Sequence, residues 1–282
     1  MRSFTLAAIV ATATLSSTVL AAPARLDTIR HDLYERSFNL TEMEKRDLEE
    51  RSSNGVITTC KNSGEFAMTF DDGPYIWGPQ LESLFEKYDS KTTFFVNGNN
   101  WDCIYDRADD LIARYNAGYQ IGSHTWTHVD IATITPAELN EQLDLVETAL
   151  KKILGVKPRF FRPPYGSYNA QALQVLKERG YTVVNWSFDS GDSVGKSASS
   201  SIASYKKLQY PSPQIALNHE TYKSTVETVA PTVVPMLIKK GYKLVTVAEC
   251  LGVSPYQSIG TPGKRDKTWT CAGTPAPGAA DK

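Results

Sequence analysis

Short apolar runs rich in β-branched and aromatic residues alternate with stretches of helical periodicity along most of this chain. That rhythm predicts repeated βα units around a parallel sheet. Seven strands are expected, at Glu65–Phe70, Thr92–Val96, Tyr119–Gly122, Arg159–Arg162, Thr182–Phe188, Gln214–Asn218 and Lys243–Val247. The helix with the clearest boundaries starts behind Thr135: Pro136 fits its first turn, Glu138 completes a capping box, and Leu139, Leu143, Val146, Leu150 and Leu154 form one apolar face. Helices from about Ala170 and about Thr228 should stop at Gly180 and Gly241, and Pro231 and Pro235 should distort the second. The fold class is α/β, a barrel or a doubly wound sheet, and 282 residues with 41% hydrophobic content suffice for one such domain.

Polar motifs gather behind the strands. Asp71-Asp72 follows the first, His124 and His128 the third, Arg162-Pro163-Pro164-Tyr165 the fourth, Asp189 to Asp192 the fifth and His219 the sixth. In a parallel barrel every strand C-terminus opens on one face, so all five motifs would meet there. Two imidazoles and a carboxylate suit a borderline divalent cation such as zinc, and three protein ligands leave positions open for catalysis. A carboxylate that ligates a cation has spent its lone pairs, so a separate one must accept a proton from an attacking water. An Asp pair alone is more often a turn or a helix cap. The His pair, spaced so that both rings can face one point from a single turn of chain, reverses that balance.

Composition adds a destination and removes some partners. Arg2, the apolar stretch Phe4 to Leu20 and the small residues Ala21 and Ala22 read as a secretory signal over residues 1–21, with no stop-transfer segment behind it. Residues 22–51 are charged and weakly periodic, and Lys45-Arg46 before Asp47 resembles a dibasic processing site. They read as a propeptide, or else as a solvated helix that stays attached. A catalytic domain is expected at 52–254, followed by a Pro/Gly-rich tail, 255–282, that reads from Gly260 onward as a linker or frayed end. The net charge of −1, without a basic run, gives no grip on nucleic acid or an anionic membrane, so a neutral polymer is the natural partner. We expect a monomer without a membrane anchor. Four cysteines without C-x-x-C spacing predict two disulfides in a secreted chain, with three pairings possible. Cys60 precedes the first strand and Cys250 follows the last, so a bridge there would fasten the ends of the domain and leave Cys103 to pin the tail through Cys271. Asn39 and Asn185 head glycosylation sequons, and Asn185 is expected to be unmodified because it falls in a predicted buried strand.

Thr69-Phe70-Asp71-Asp72-Gly73-Pro74, His124-x-x-x-His128, Arg162-Pro163-Pro164-Tyr165 and Leu217-Asn218-His219 occur in that order between about Cys60 and Cys250. They resemble the motifs of the polysaccharide deacetylases, the NodB-homology carbohydrate esterases of family four that include secreted fungal chitin deacetylases. The resemblance implies a distorted (β/α) barrel with about seven parallel strands and a divalent metal, zinc or else cobalt, on Asp72, His124 and His128. It implies Asp71 as general base oriented by Arg162, the Tyr165 backbone N–H as oxyanion donor, His219 as general acid tuned by Asp192, and Leu217 against the acetyl methyl. Ser193 stands where the family usually has Trp or Tyr, a departure that opens the substrate groove. The implied activity is removal of acetyl groups from N-acetylglucosamine units of chitin or chito-oligosaccharides, outside the cell or at the wall, giving chitosan and acetate. Acetylxylan or peptidoglycan as substrate is the near alternative. A catalytically weak chitin-binding protein and a non-haem iron oxygenase, which shares the two-His-one-carboxylate set, are the distant ones; oxygenase chemistry leaves Asp71 and His219 without a task.

Overall fold

The computed structural model describes residues 41–51 and 55–277. The expected signal peptide, most of the expected propeptide and the Asn39 sequon lie outside them. The described strands are β1 (Val56–Ile57), β2 (Glu65–Gly73), β3 (Thr93–Val96), β4 (Gln120–Ser123), β5 (Val156–Pro158), β6 (Phe160–Phe161), β7 (Thr182–Val184), β8 (Phe188–Asp189), β9 (Gln214–His219), β10 (Lys243–Leu244) and β11 (Tyr256–Ile259). Alternation along β2 builds two cores. Phe66, Met68 and Phe70 join Leu81 and Phe85 of the helix Gly78–Lys87 outside the sheet, whereas Ala67 packs with Phe95, Phe160, Val184 and Ile215 inside it. Gly122 belongs to that inner packing, since a Cβ there would lie 2.6 Å from the Phe95 ring.

The main sheet runs β1-β7-β6-β4-β3-β2-β9-β8, with β10 beside the start of β2, and all its pairs are parallel. It has nine strands where about seven were expected. One reason is the two-residue β1, too short to carry a pattern. The other is the predicted strand Thr182–Phe188, which divides into β7, next to the edge strand β1, and β8, the edge strand at the other end. Within it the Asn185 N–H donates to Ile57 O at 2.8 Å and the Ser187 N–H to Ile215 O at 3.0 Å. This segment therefore links the two ends of the sheet.

The helix Pro136–Leu154 forms as expected, with the reciprocal Thr135–Glu138 capping box and Gly155 at φ 75° behind it. Pro231 and Pro235 mark an irregular helix: Thr225–Val229 is π-helical, and Ala230–Lys239 follows with Pro235 inside. The predicted strand Lys243–Val247 ends at Leu244, because Thr246 and Glu249 form a second capping box that starts the helix Val247–Leu251.

Disulfides join Cys60 to Cys250 and Cys103 to Cys271. The tail, read from composition as a linker, is packed as far as it is described. β11 pairs with β5, the Gly260 and Gly263 N–H groups donate to Gly155 O and Lys152 O at 2.7 and 2.8 Å, and Trp269 lies against Tyr105. A Pro/Gly-rich segment has no periodicity of its own, but its backbone donors can be satisfied by a surface already folded. No helix among the described residues is long and apolar enough to cross a membrane.

Candidate active site

β2 and β9 lie side by side with Asp71 opposite His219 and Thr69 opposite Leu217. Two residues apart on β9, Leu217 and His219 share one face, so Leu217 sits buried one layer below the histidine. Adjacent strand residues normally project to opposite faces. The β2–β3 register shifts between Asp71 and Gly73, and Asp72 takes a left-handed φ of 72°. This bulge turns Asp72 so that both carboxylates approach the same imidazole, Asp71 Oδ2 at 3.8 Å and Asp72 Oδ1 at 3.6 Å from His124 Nε2.

His128 Nε2 lies 3.3 Å from the same Asp72 oxygen, and the ligand atoms of Asp72, His124 and His128 fall within 4.8 Å of one another. His124 Nδ1 donates to Arg162 O at 2.6 Å, which leaves Nε2 with its lone pair towards Asp72. Burial lowers the His124 pKa to about 3 and pushes Asp72 up to about 7. Asp72 Oδ1 is buried and makes no hydrogen bond. An orphaned carboxylate oxygen facing a neutral imidazole nitrogen is costly by itself and suits a divalent cation.

The spacing of the two histidines does not act through a helix. Residues 124–128 form an irregular loop with left-handed φ at Thr125 and His128, 67° and 59°. Asn97 holds it from one side by donating to His124 O and Thr125 O, and Gln142 Oε1 accepts from Trp126 N and Thr127 N at 3.0 and 2.9 Å. Tyr165, in the turn Pro164–Gly166, also has a φ of 59°, so four of the five left-handed non-glycine residues described lie in the predicted motifs. Strain of this kind concentrates where function over-determines the backbone.

Arg162 is fully buried with its guanidinium over the Phe95 ring, and its Nη1 donates to Asp71 Oδ1 at 2.8 Å. Asp71 Oδ2 is thereby turned to the His124 side. Burial raises the Asp71 pKa and Arg162 only partly offsets it, which strengthens the carboxylate as a base. Across the site His219 Nδ1 donates to Asp192 Oδ1 at 2.8 Å, and the His219 N–H donates to Asp192 Oδ2 at 2.9 Å. Burial alone would lower the His219 pKa, but Asp192 outweighs it and the value rises to about 9. The Tyr165 ring, 57% exposed, stands edge-on to His128 at 4.6 Å. Ser193 is exposed beside an exposed Val194.

The structure adds residues that sequence reading missed. Thr225 donates to Asp192 Oδ2 at 2.7 Å. Glu220 is fully buried; its Oε1 accepts from Tyr75 N at 2.7 Å and its Oε2 lies 3.0 Å from Arg114, tying the end of β9 to the chain behind Asp72. Its place directly after His219 is visible in the sequence, but nothing there marks the carboxylate as buried. Tyr222, Trp101 and Tyr75 form an edge-to-face row that starts 5.7 Å from the His219 ring. These aromatics come from three separate loops, so only the fold assembles them.

A parallel barrel with a three-donor cluster, a paired carboxylate and a paired histidine at its strand C-termini is an arrangement that could hold a divalent cation and serve metal-assisted hydrolysis. The polysaccharide deacetylase family matches residues 58–184. A chitin deacetylase from a Pestalotiopsis species is 38% identical over 200 residues, 70% of this chain and 67% of that one. The solved chitin deacetylase of the fungal pathogen Colletotrichum lindemuthianum superposes with a TM-score of 0.70 at 32% identity, covering 74% of this chain and 98% of that one. A Bacillus cereus peptidoglycan-N-acetylglucosamine deacetylase is 30% identical over 192 residues, 66% of this chain and 68% of that one. This chain belongs to the polysaccharide deacetylase family and is a hydrolase.

Proposed function

We propose that the protein is a secreted, divalent-metal-dependent deacetylase that hydrolyses the N-acetyl group of N-acetylglucosamine units in chitin or its oligomers. The observation that carries the reading is the divided labour of two adjacent carboxylates: Asp72 Oδ1 faces both imidazoles, while Asp71 is held by Arg162. Zinc, or cobalt, on Asp72, His124 and His128 would polarise the acetamide carbonyl and bring the pKa of a water from ~15.7 towards ~7. Asp71 takes the proton of the attacking water on Oδ2, the oxygen that Arg162 does not hold. The Tyr165 backbone N–H donates to the oxyanion that develops at the carbonyl. His219, charged through its bond to Asp192, donates its Nε2 proton to the leaving nitrogen as the C–N bond breaks, releasing acetate and a free amine. Leu217 closes the site against the acetyl methyl, and residues 52–254 form the catalytic domain. The two disulfides suit an oxidising, extracellular location.

Chitin is supported as substrate by two fungal relatives named chitin deacetylases, and peptidoglycan stays the alternative because relatives named for it match as well. Acetate release from chitin oligomers, acetylxylan and peptidoglycan fragments, before and after chelation and with zinc or cobalt restored, tests substrate and metal together. Release from chitin oligomers that is lost on chelation and regained with metal is expected. Binding of chitin with no acetate release at full metal occupancy would overturn the reading.

A further inference from the structure

Trp126 stands between the two histidines of the loop, and its indole is held by the far C-terminal end of the described chain. It is 1% exposed. Its Nε1 donates to Thr274 Oγ1 at 3.0 Å and to Pro275 O at 3.2 Å. Its carbonyl accepts from the Gly98 and Asn99 N–H groups at 3.0 and 2.7 Å. Only a glycine fits at 98, because a Cβ there would lie 1.7 Å from the Trp126 ring. Asn99 Nδ2 donates to the same Pro275 carbonyl at 3.0 Å, and Cys103, a few residues on, is bonded to Cys271. The tail, the 98–103 loop and the histidine loop thus form one unit, although the tail supplies none of the proposed chemistry.

Resting on the reading of Asp72, His124 and His128 as a metal site, we propose that the segment Cys271–Pro275, fastened by the Cys103–Cys271 bridge, is a positioning element for the metal ligands. By fixing the Trp126 indole it sets the placement of His124 and His128. Gln142 and Asn97 hold the loop by its backbone; the tail holds it by its one large side chain. A loop with left-handed residues on both sides of that side chain relaxes when such a support is withdrawn. Supports of ligating histidines are commonly worth about 10–100-fold in metal affinity.

The test measures zinc Kd by competition with a chromophoric chelator, on the metal-stripped full chain. It compares wild type, Trp126→Phe and the double variant Cys103→Ser/Cys271→Ser, with the metal-free Tm as a control for folding. Trp126→Phe keeps a buried ring but deletes the donor to Thr274 and Pro275. It is expected to raise the zinc Kd about tenfold or more, and the double variant to do so as well. If the double variant fails to fold, Trp126→Phe decides the matter alone. A zinc Kd unchanged to within about twofold in Trp126→Phe with a native circular dichroism spectrum overturns the positioning role. Wild type that binds no zinc would instead remove the metal reading on which the proposal stands.

Discussion

At His219 two effects of opposite sign meet, and the larger decides its charge. Burial disfavours the imidazolium, while Asp192, with Asp72 and Asp71 behind it, favours it and takes the pKa to about 9. The group's folded value lies above its unfolded one. Its contribution to stability is therefore full below the ordinary histidine value of ~6.5 and lost as pH rises through about 9. Activity should follow the same proton. Asp192→Asn is expected to move the basic limb of the kcat/KM profile to lower pH, towards ~6.5, and an unmoved limb would detach Asp192 from His219's titration. Asp71→Asn makes the complementary test. It should lower kcat by ~10²–10⁴ while zinc binding persists, because the ligating carboxylate is its neighbour. A variant that keeps both metal and full activity would end the assignment of the base.

Elements hold this site from behind, and there the sequence was least legible. The strand ends at Asp71, His124, Arg162 and His219 could be read because a βα rhythm places polar motifs at one mouth whatever the details of the sheet. Gln142 could not, since it lies inside the helix Pro136–Leu154 among its apolar positions, and its target is a loop separated from it in the sequence. Glu220 reads from sequence as an ordinary charged residue after a motif, yet it is fully buried against Arg114. Both should matter to the elements they join. Gln142→Leu would strand the buried N–H groups of Trp126 and Thr127, a loss of ~2–4 kcal/mol in urea unfolding. Glu220→Ala leaves Arg114 only its Glu82 partner at 2.8 Å and frees the Tyr75 N–H. Breaking such a buried pair costs ~3 kcal/mol or more, and a variant within experimental error of wild type would mean that water replaces the carboxylate.

Across the whole molecule the two disulfides sit at opposite ends of the strands, and that separation makes stability and site geometry independently testable. Sequence position alone suggested that Cys60 and Cys250 close the domain. What it could not reveal was the course of the tail, because packing of a segment without periodicity depends on a surface that exists only after folding. Cys60 lies ahead of β2 at the strand N-termini, with its sulfur 3.2 Å from Gln214 O at the start of β9. Cys103 and Cys271 lie beside the Trp126 loop at the catalytic mouth. The Cys60–Cys250 bridge spans 190 residues of sequence, so the unfolded chain without it gains close to the largest entropy one crosslink can withhold, a stability loss of ~2–5 kcal/mol. Cys60→Ser/Cys250→Ser should therefore lower the urea midpoint and Tm markedly. Its zinc Kd, measured at a temperature where it remains folded, should match wild type, because nothing near the metal ligands has moved. Weakened zinc binding in that folded variant would show that the two ends of the barrel are coupled through the sheet, and that the catalytic mouth depends on the closure at its far end.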